Sequence, residues 1–485
     1  MLIKIVGTDG SLFEIIEFGY NEIRTTAELL TKLKISYAEV LVNNHLQVED
    51  ETSTSTSTLT TLNEGDSVII KIKEPVCSQP VPRTKITADV FTIDPEGCTD
   101  ADDAFSIWEE EGQVHLMIHI ADPTDFISDS GALFQHIIKT AQTQYPFGAP
   151  PVHLFPDEIL QRASLVNGSN KKTISVHAVF EQGKLKLIST GIEFCLVDCD
   201  SCSRFTYEKA AESDLNIFIL GTEIAKQLWK DRSKHMSWVT DDLNLNLNLT
   251  IPHLNVNGGV SLTEDSMRVK VMKSMIAEFA ILANTVFAKG LSDRNIFLRS
   301  AQLTDEIKTS VRLSGQNLLH KIIEQSVSAS YVNEMLPHDI VTGDIYTHAT
   351  SPLRRASDCI VHMMLKAQAL NTEAPFNSKS LQEWSIHLTN QAKKFKKEQH
   401  AEIKKATLRW ISSNLPVSCT VKVMSHKAGF VNLMITELNK MPVNVSYTLR
   451  RKAKPHEEKI TVELNKVNFN CKYDEGTLPD IDSNF

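Results

Sequence analysis

Alternating apolar and polar residues mark both ends of the chain, whereas the middle mixes that alternation with helical spacing. MLIKIVGTDGSLFEIIEF reads as two strands around Asp9-Gly10, a dipeptide suited to a tight hairpin. TAELLTKLK has helical spacing, and AEVLVNNHLQV and TLNEGDSVIIKIKE read as strands. Residues 1–75 are therefore expected to form a small ββαββ module similar to a ubiquitin-like β-grasp. The tract TSTSTSTLTT between its last two strands has no apolar period and is expected to be a flexible insertion. Residues 76–85 are expected to act as a linker.

From 86 to 412 no break is visible. VHLMIHIADP and TISVHAVFEQGKLKLISTGIEFCLV are strand-like, and 208–236, 264–291, 305–330 and 355–372 have helical period. These features predict one large α+β domain. After Pro416, SCTVKVMSHKAGFVNLMITEL, VNVSYTLRR and KITVELNKVNF return to short strands. Residues 413–474 are expected to be a small β-barrel of OB or S1 type, a fold that often binds single-stranded nucleic acid. An acidic tail, 475–485, is expected to be disordered.

A chain of 485 residues has room for about three domains, and 42% apolar with 23% charged residues is globular composition. The N-terminus lacks a signal-peptide pattern, and Glu278, Asn284 and Lys289 interrupt the most apolar helix, which argues for a core helix over a membrane span. A cytoplasmic or nuclear monomer with no membrane contact is expected. Eight scattered cysteines are too few for a disulfide scaffold, and Cys195, Cys199 and Cys202 lack a nearby fourth zinc ligand. A net charge of −10 argues against nucleic acid only until its distribution is considered, because KKFKKEQHAEIKKATLRW concentrates positive charge locally.

The informative acidic segment is TIDPEGCTDADDAF, which sets Asp94, Asp100, Asp102 and Asp103 directly after an apolar run. Two carboxylates a few ångströms apart repel by about 4 kcal/mol at an effective dielectric near 20. If these converge, protons or a cation must compensate them, and oxygen donors favour magnesium or manganese. An EF-hand begun at Asp100 would need glycine where Phe105 stands, and an aspartyl-phosphate phosphatase would need aspartate where Glu96 stands. A solvated acidic turn is the remaining alternative.

A second segment, YTHATSPLRRASDCIVHMML, predicts a helix opening at Ser351-Pro352 with Arg354 and Arg355 in its first turn. Cations there oppose the helix dipole, so an anion at that point would be welcome. The alternative is two surface arginines paired with acidic neighbours.

Together these segments resemble the ribonuclease II, or RNB-domain, family. The first carries T-I-D followed six, eight and nine residues later by aspartates. The second carries Y-T-H-x-T-S-P-x-R-R-x-x-D-x-x-x-H through Tyr346, His348, Ser351, Arg354, Arg355, Asp358 and His362. VHLMIHIADPTDFI, SCSRFTYEKA and MIAEFAILAN match further family segments in order. The resemblance covers roughly 86–412 and implies a 3′-to-5′ exoribonuclease that hydrolyses single-stranded RNA to nucleoside 5′-monophosphates by a two-metal-ion mechanism. It implies that Asp94, Asp100, Asp102 and Asp103 hold Mg2+ or Mn2+, with Asp102 the most critical. Arg354 would clamp the phosphate near the 3′ end, Tyr145 would stack on a terminal base, and Arg355 and Glu278 would be further RNA contacts.

Several positions depart from that pattern. Ala277 precedes Glu278 where a second glutamate is usual, Arg299-Ser300-Ala301 replaces R-x-H, and no second stacking aromatic stands out near 240–260. The β-grasp-like unit is expected to stand where paired cold-shock barrels usually precede the domain. These departures support a rival reading, an RNB-scaffold RNA-binding protein with little or no turnover. A third reading makes residues 1–75 an adaptor that recruits a protein partner.

Overall fold

The computed structural model describes residues 81–129, 131–146, 149–236, 265–291, 296–314, 327–427 and 430–450, together with strands at 2–6, 12–17, 38–42, 45–48, 67–72, 251–254, 260–263 and 460–464. The helix expected at TAELLTKLK, the threonine-serine tract, residues 315–326 of the 305–330 stretch and the acidic tail lie outside these residues.

At the N-terminal end, β1 (Leu2–Val6), β2 (Leu12–Glu17), β3 (Ala38–Val42), β4 (His45–Val48) and β5 (Ser67–Ile72) form one sheet in the order β2-β1-β5-β3-β4. Its central pair, β1 and β5, is parallel, and the other pairings are antiparallel.

The middle of the chain is organised by a seven-stranded sheet in the order β12-β7-β8-β9-β10-β11-β6. Four of its strands, β8 (Asp103–Glu110), β9 (Gln113–Ala121), β10 (Lys171–Glu181) and β11 (Leu187–Val197), form an antiparallel meander. The edges are added in parallel: β12 (Ser203–Thr206) to β7 (Phe91–Asp94), and β6 (Thr84–Lys85) to β11. Alternation sends Val114, Leu116, Ile118 and Ile120 into the apolar core with Ile174, Val176, Ala178 and Phe180.

Helices complete that core. Met275, Phe279, Ala283 and Phe287 recur along Met267–Gly290 and are buried, so this apolar helix packs inside the domain as the sequence predicts. The helix Ala356–Ala369 is buried over most of its length. The helix Ser378–Ser413 is not evident from the apolar pattern. Its first turns place Leu381 and Leu388 in the main core, and its last place Leu408, Trp410 and Ile411 in a second core with Val417, Cys419 and Leu438. The lysine-rich stretch noted in the sequence forms its solvated mid-span. Beyond it, β13 (Val417–Lys427), β14 (Phe430–Leu438), β15 (Met441–Arg450) and β16 (Ile460–Leu464) form an antiparallel sheet in the order β15-β14-β13-β16.

One local expectation is corrected. The helix predicted to open at Ser351 begins at Ala356, with Arg355 as its cap in extended conformation (φ −137°, ψ 125°). Arg355 forms an antiparallel bridge with Gln142: Thr143 N–H donates to the Arg354 carbonyl, and Ala356 N–H donates to the Ala141 carbonyl. These tertiary hydrogen bonds hold the backbone extended and delay the helix by five residues.

Candidate active site

The sheet brings the acidic segment to one end. Asp94 terminates β7 and Asp103 opens β8, so the intervening loop carries Asp100 and Asp102 between two adjacent strands. Backbone bonds pin the loop on both sides: Ala121 N–H donates to the Asp102 carbonyl at 2.8 Å, and Leu165 N–H donates to that of Ala101 at 3.0 Å.

The arginine segment meets this loop from 251 positions away. Asp102 is only 5% exposed. Its Oδ1 accepts from Leu353 N–H and its Oδ2 from Arg354 Nε, each at 2.8 Å. Arg354 also donates to Ser351 Oγ at 2.9 Å, yet its side chain remains 47% exposed.

Charge is poorly balanced here. Burial, followed by the charges on Asp94 and Asp102, pushes the Asp103 carboxyl up to about 7. Burial likewise raises Asp102 to about 6 against the pull of Arg354 and the Leu353 amide. Asp94 is also raised by burial, although Arg204 and Arg354 oppose the shift. Asp94 Oδ2 is buried with no hydrogen-bond partner. An uncompensated buried carboxylate oxygen is costly, and a hard cation is the simplest group to relieve it.

Tyr145 is 53% exposed, and its phenol is pushed up to about 12 by burial and by Asp100. It therefore borders the cluster with an open ring. Arg355 and Glu278 are engaged elsewhere. Arg355 donates to Asp358 Oδ2 through NH2 at 2.8 Å, while the buried Glu278 pairs with both Nε and NH2 of Arg232. The two-arginine anion cradle expected from the sequence thus presents Arg354, with Arg355 held by the acidic residue three positions on.

Three neighbours were not identified from the sequence as site residues. Cys98 donates weakly to Asp94 Oδ1 at 3.7 Å and to Asp100 Oδ1 at 3.9 Å. His153 places Nδ1 3.6 Å from Asp100 Oδ2. Tyr207 sits beside Asp103 and Asp94, and its phenol is raised by burial and by those charges. Cys98 lies inside the quoted acidic segment and Tyr207 inside the quoted SCSRFTYEKA, whereas His153 carries no local signal.

Among the described residues, no group of three or more His, Cys, Asp or Glu side chains is placed so that it could hold a metal ion, the Cys195, Cys199 and Cys202 trio included. The donor type of the acidic loop, carboxylate oxygen, is nevertheless the one a hard cation takes. Asp94 and Asp103 bring carboxylate oxygens with little positive charge to answer them, and Asp100 adds another. Asp102, hydrogen-bonded through both oxygens, instead couples the loop to Arg354.

Comparison with known proteins matches residues 83–371 to the RNB domain. A ribonuclease of Synechocystis described as uncharacterized is 24% identical over 312 residues, covering 61% of this chain and 45% of that protein. An active-site mutant of the Dss1 exoribonuclease from Candida glabrata superposes with a TM-score of 0.67 at 21% identity, over 79% of this chain and 54% of that one. Yeast Ssd1, described as a pseudonuclease, superposes at 0.60 with 17% identity, over 77% and 51%. The chain thus spans about half the length of these proteins.

Proposed function

The chain belongs to the RNB-domain family, and from that premise we propose that it is a 3′-to-5′ exoribonuclease that hydrolyses single-stranded RNA to nucleoside 5′-monophosphates. The observation that carries this reading is the under-neutralised carboxylate cluster at the strand ends, with one half-exposed arginine tied into it. A scaffold with no catalytic task has little physical reason to hold three neighbouring carboxylates, one buried and two partly buried, with raised proton affinity.

Asp94, Asp100 and Asp103 would hold Mg2+ or Mn2+, which supplies water activation and charge neutralisation when bound. The chain's own groups complete the site. Asp102 fixes Arg354 through Nε and Ser351 Oγ accepts from one terminal nitrogen, so the remaining guanidinium N–H groups are presented to an arriving phosphate with little orientational freedom. That pairing makes Asp102 a positioning residue as well as a carboxylate of the cluster. Tyr145 offers an open ring face for a terminal base. In this proposal the N-terminal sheet is a β-grasp module that holds a protein partner. The C-terminal sheet is part of an OB/S1-like barrel that guides RNA, and the protein works as a cytoplasmic monomer.

The test is incubation of a 5′-labelled single-stranded RNA with the protein and Mg2+ or Mn2+. Stepwise shortening with release of 5′-monophosphates is expected, with Asp102→Asn reducing the rate at least 100-fold, on the order of one fixed electrostatic contact. Equal rates for the two proteins would sink the assignment. The rival reading, RNA binding without turnover, is favoured by the two hydrogen bonds that occupy Asp102. It predicts RNA affinity that persists in EDTA and no nucleotide release.

A further inference from the structure

The acidic cluster leaves one sequence motif without a role, the cysteines at 195, 199 and 202. Cys195 lies in β11 opposite Thr173, fully buried, and burial pushes its thiol up to about 11. Cys199 and Cys202 instead close the turn that leads from β11 into β12. There Cys202 N–H donates to the Cys199 carbonyl at 3.4 Å, and the two thiols hydrogen-bond to each other. Such a turn holds its end Cα atoms within about 7 Å, and a disulfide spans roughly 4.4–6.8 Å, so closure needs little backbone movement.

The turn is also held from outside. Cys199 N–H donates to the Gly168 carbonyl at 3.1 Å, Gly168 N–H donates to Asp200 Oδ1 at 2.7 Å, and Ser201 Oγ donates to the Asp198 carbonyl at 3.1 Å. Cys199 is buried and Cys202 is partly exposed, so a reagent from solvent reaches Cys202 first. The thiols differ in proton affinity as well. Their shared hydrogen bond lowers Cys202 against its burial and raises Cys199, and the charge of Arg204 favours the Cys202 thiolate. Among the described cysteines, Cys202 is the one thiol held below its ordinary value; Cys98, Cys195, Cys359 and Cys419 are all raised by burial. An accessible thiolate backed by a second thiol is the arrangement of a redox-active dithiol. No third ligand among the described residues is placed to hold a metal with the pair.

We propose that Cys199 and Cys202 form a reversible intramolecular disulfide by exchange with a low-molecular-weight disulfide of the glutathione type. The Cys202 thiolate attacks one sulfur of that disulfide, its S–S bond breaks, and one small thiolate leaves. Cys199 then gives its proton to solvent, attacks the mixed disulfide at the Cys202 sulfur and expels the second small thiolate. Two protein thiols are oxidised, and one small disulfide is reduced to two thiols. The new bond stiffens the entry to β12. Along that strand Arg204 donates to the Cys98 carbonyl of the acidic loop at 3.5 Å, and Thr206 stands opposite Asp94. The oxidised turn thus abuts the strand pair that carries the cluster.

The test uses the full-length protein equilibrated in glutathione buffers of increasing oxidised fraction, quenched in acid, alkylated under denaturing conditions and mapped by tandem mass spectrometry. Expected is the loss of two hydrogens at Cys199 and Cys202, with Cys195 alkylated and the change reversed by dithiothreitol. Cys199→Ser should stop the exchange at a glutathione adduct on Cys202, and Cys202→Ser should leave Cys199 an unmodified thiol. In the wild-type protein, two alkylated thiols at 199 and 202 in the most oxidised buffer, a glutathione adduct that persists there, or a bond to Cys195 would overturn the proposal. These results need no variant to fold. An adduct on Cys199 of Cys202→Ser that forms as fast as the one on Cys202 of Cys199→Ser would overturn the order of attack. None of these readouts involves RNA or a metal ion, so they leave the nuclease assignment untouched.

Discussion

The central domain contains two groups of aspartates that its charge balance treats in opposite ways. Asp122 and Asp125, just beyond the end of β9, face Arg83, Lys172 and Lys366, three cations for two carboxylates. Burial works against the Asp122 carboxylate, yet Lys366, His362 and Arg83 hold it well below the ordinary carboxylate range. Asp102 is buried and Asp94 and Asp103 are partly buried, but with Arg354 as their main directly bonded cation, and all three are shifted upward. Both groups are acidic clusters in sequence. One is a closed ion network that stabilises the fold, and the other is left open. The balance of charge, rather than the density of aspartate, separates the two groups.

The largest way to break this contrast is to open the closed network. Lys366→Met removes the ammonium 2.7 Å from Asp125 Oδ1 and 3.4 Å from Asp122 Oδ1. It should lower unfolding stability by about 3–5 kcal/mol, read from the denaturant midpoint. A loss under about 1 kcal/mol would show that the network is not what holds this end of the sheet.

A second experiment closes the open cluster with a cation and varies pH. The folded-state affinities of Asp102 and Asp103 for protons, about 6 and about 7, lie above the unfolded value. Their protonated forms therefore favour the fold at low pH, and that contribution is lost as pH rises through 6 to 7. Asp122 has the opposite sign: its contribution is present above the unfolded value and lost only as pH falls through its depressed one. The metal-free protein should thus gain stability from the open cluster between pH 8 and 5.5 while the closed network stays constant. Mn2+ at about 100 times its dissociation constant should add about 2.7 kcal/mol at pH 8 and much less at pH 5.5, measured as a shift in Tm. A stabilisation independent of pH would count against the cluster as the metal site.

The smallest effect sharpens the boundary of the open site. Tyr145→Ala should weaken single-stranded RNA binding by about 1–3 kcal/mol, measured by fluorescence anisotropy. Because the ring is half exposed, unfolding stability should change by less than about 0.5 kcal/mol. A large stability loss would make Tyr145 a packing residue.

Much of this site was legible in the chain because two segments far apart carry unusual local chemistry. Four aspartates within ten positions, and Arg354 after Ser351-Pro352, identify the groups that meet through Asp102. Their pairing was not legible, since no local rule says that Arg354 will be oriented by a carboxylate 252 positions earlier. Glu278 shows the same limit, as it is taken by Arg232, a partner that only the fold supplies, whereas Arg355 pairs with Asp358 three positions on, the acidic-neighbour alternative that the sequence offered. In the fold, strands and apolar helices followed their periods. The start at Ala356 and the helix from Ser378 did not, the first because bonds to Ala141 and Thr143 override capping preference, the second because its middle has no apolar stripe.

That unbroken helix from Ser378 to Ser413 has a mechanical consequence. Its two ends are embedded in different cores, and each added or deleted residue turns one end against the other by about 100° and shifts it by ~1.5 Å. Its length is therefore a matter of phase. A single-residue deletion in the lysine-rich mid-span, harmless in a loop, would twist the C-terminal sheet out of alignment with the central domain, whereas replacing those lysines one for one would leave the alignment intact.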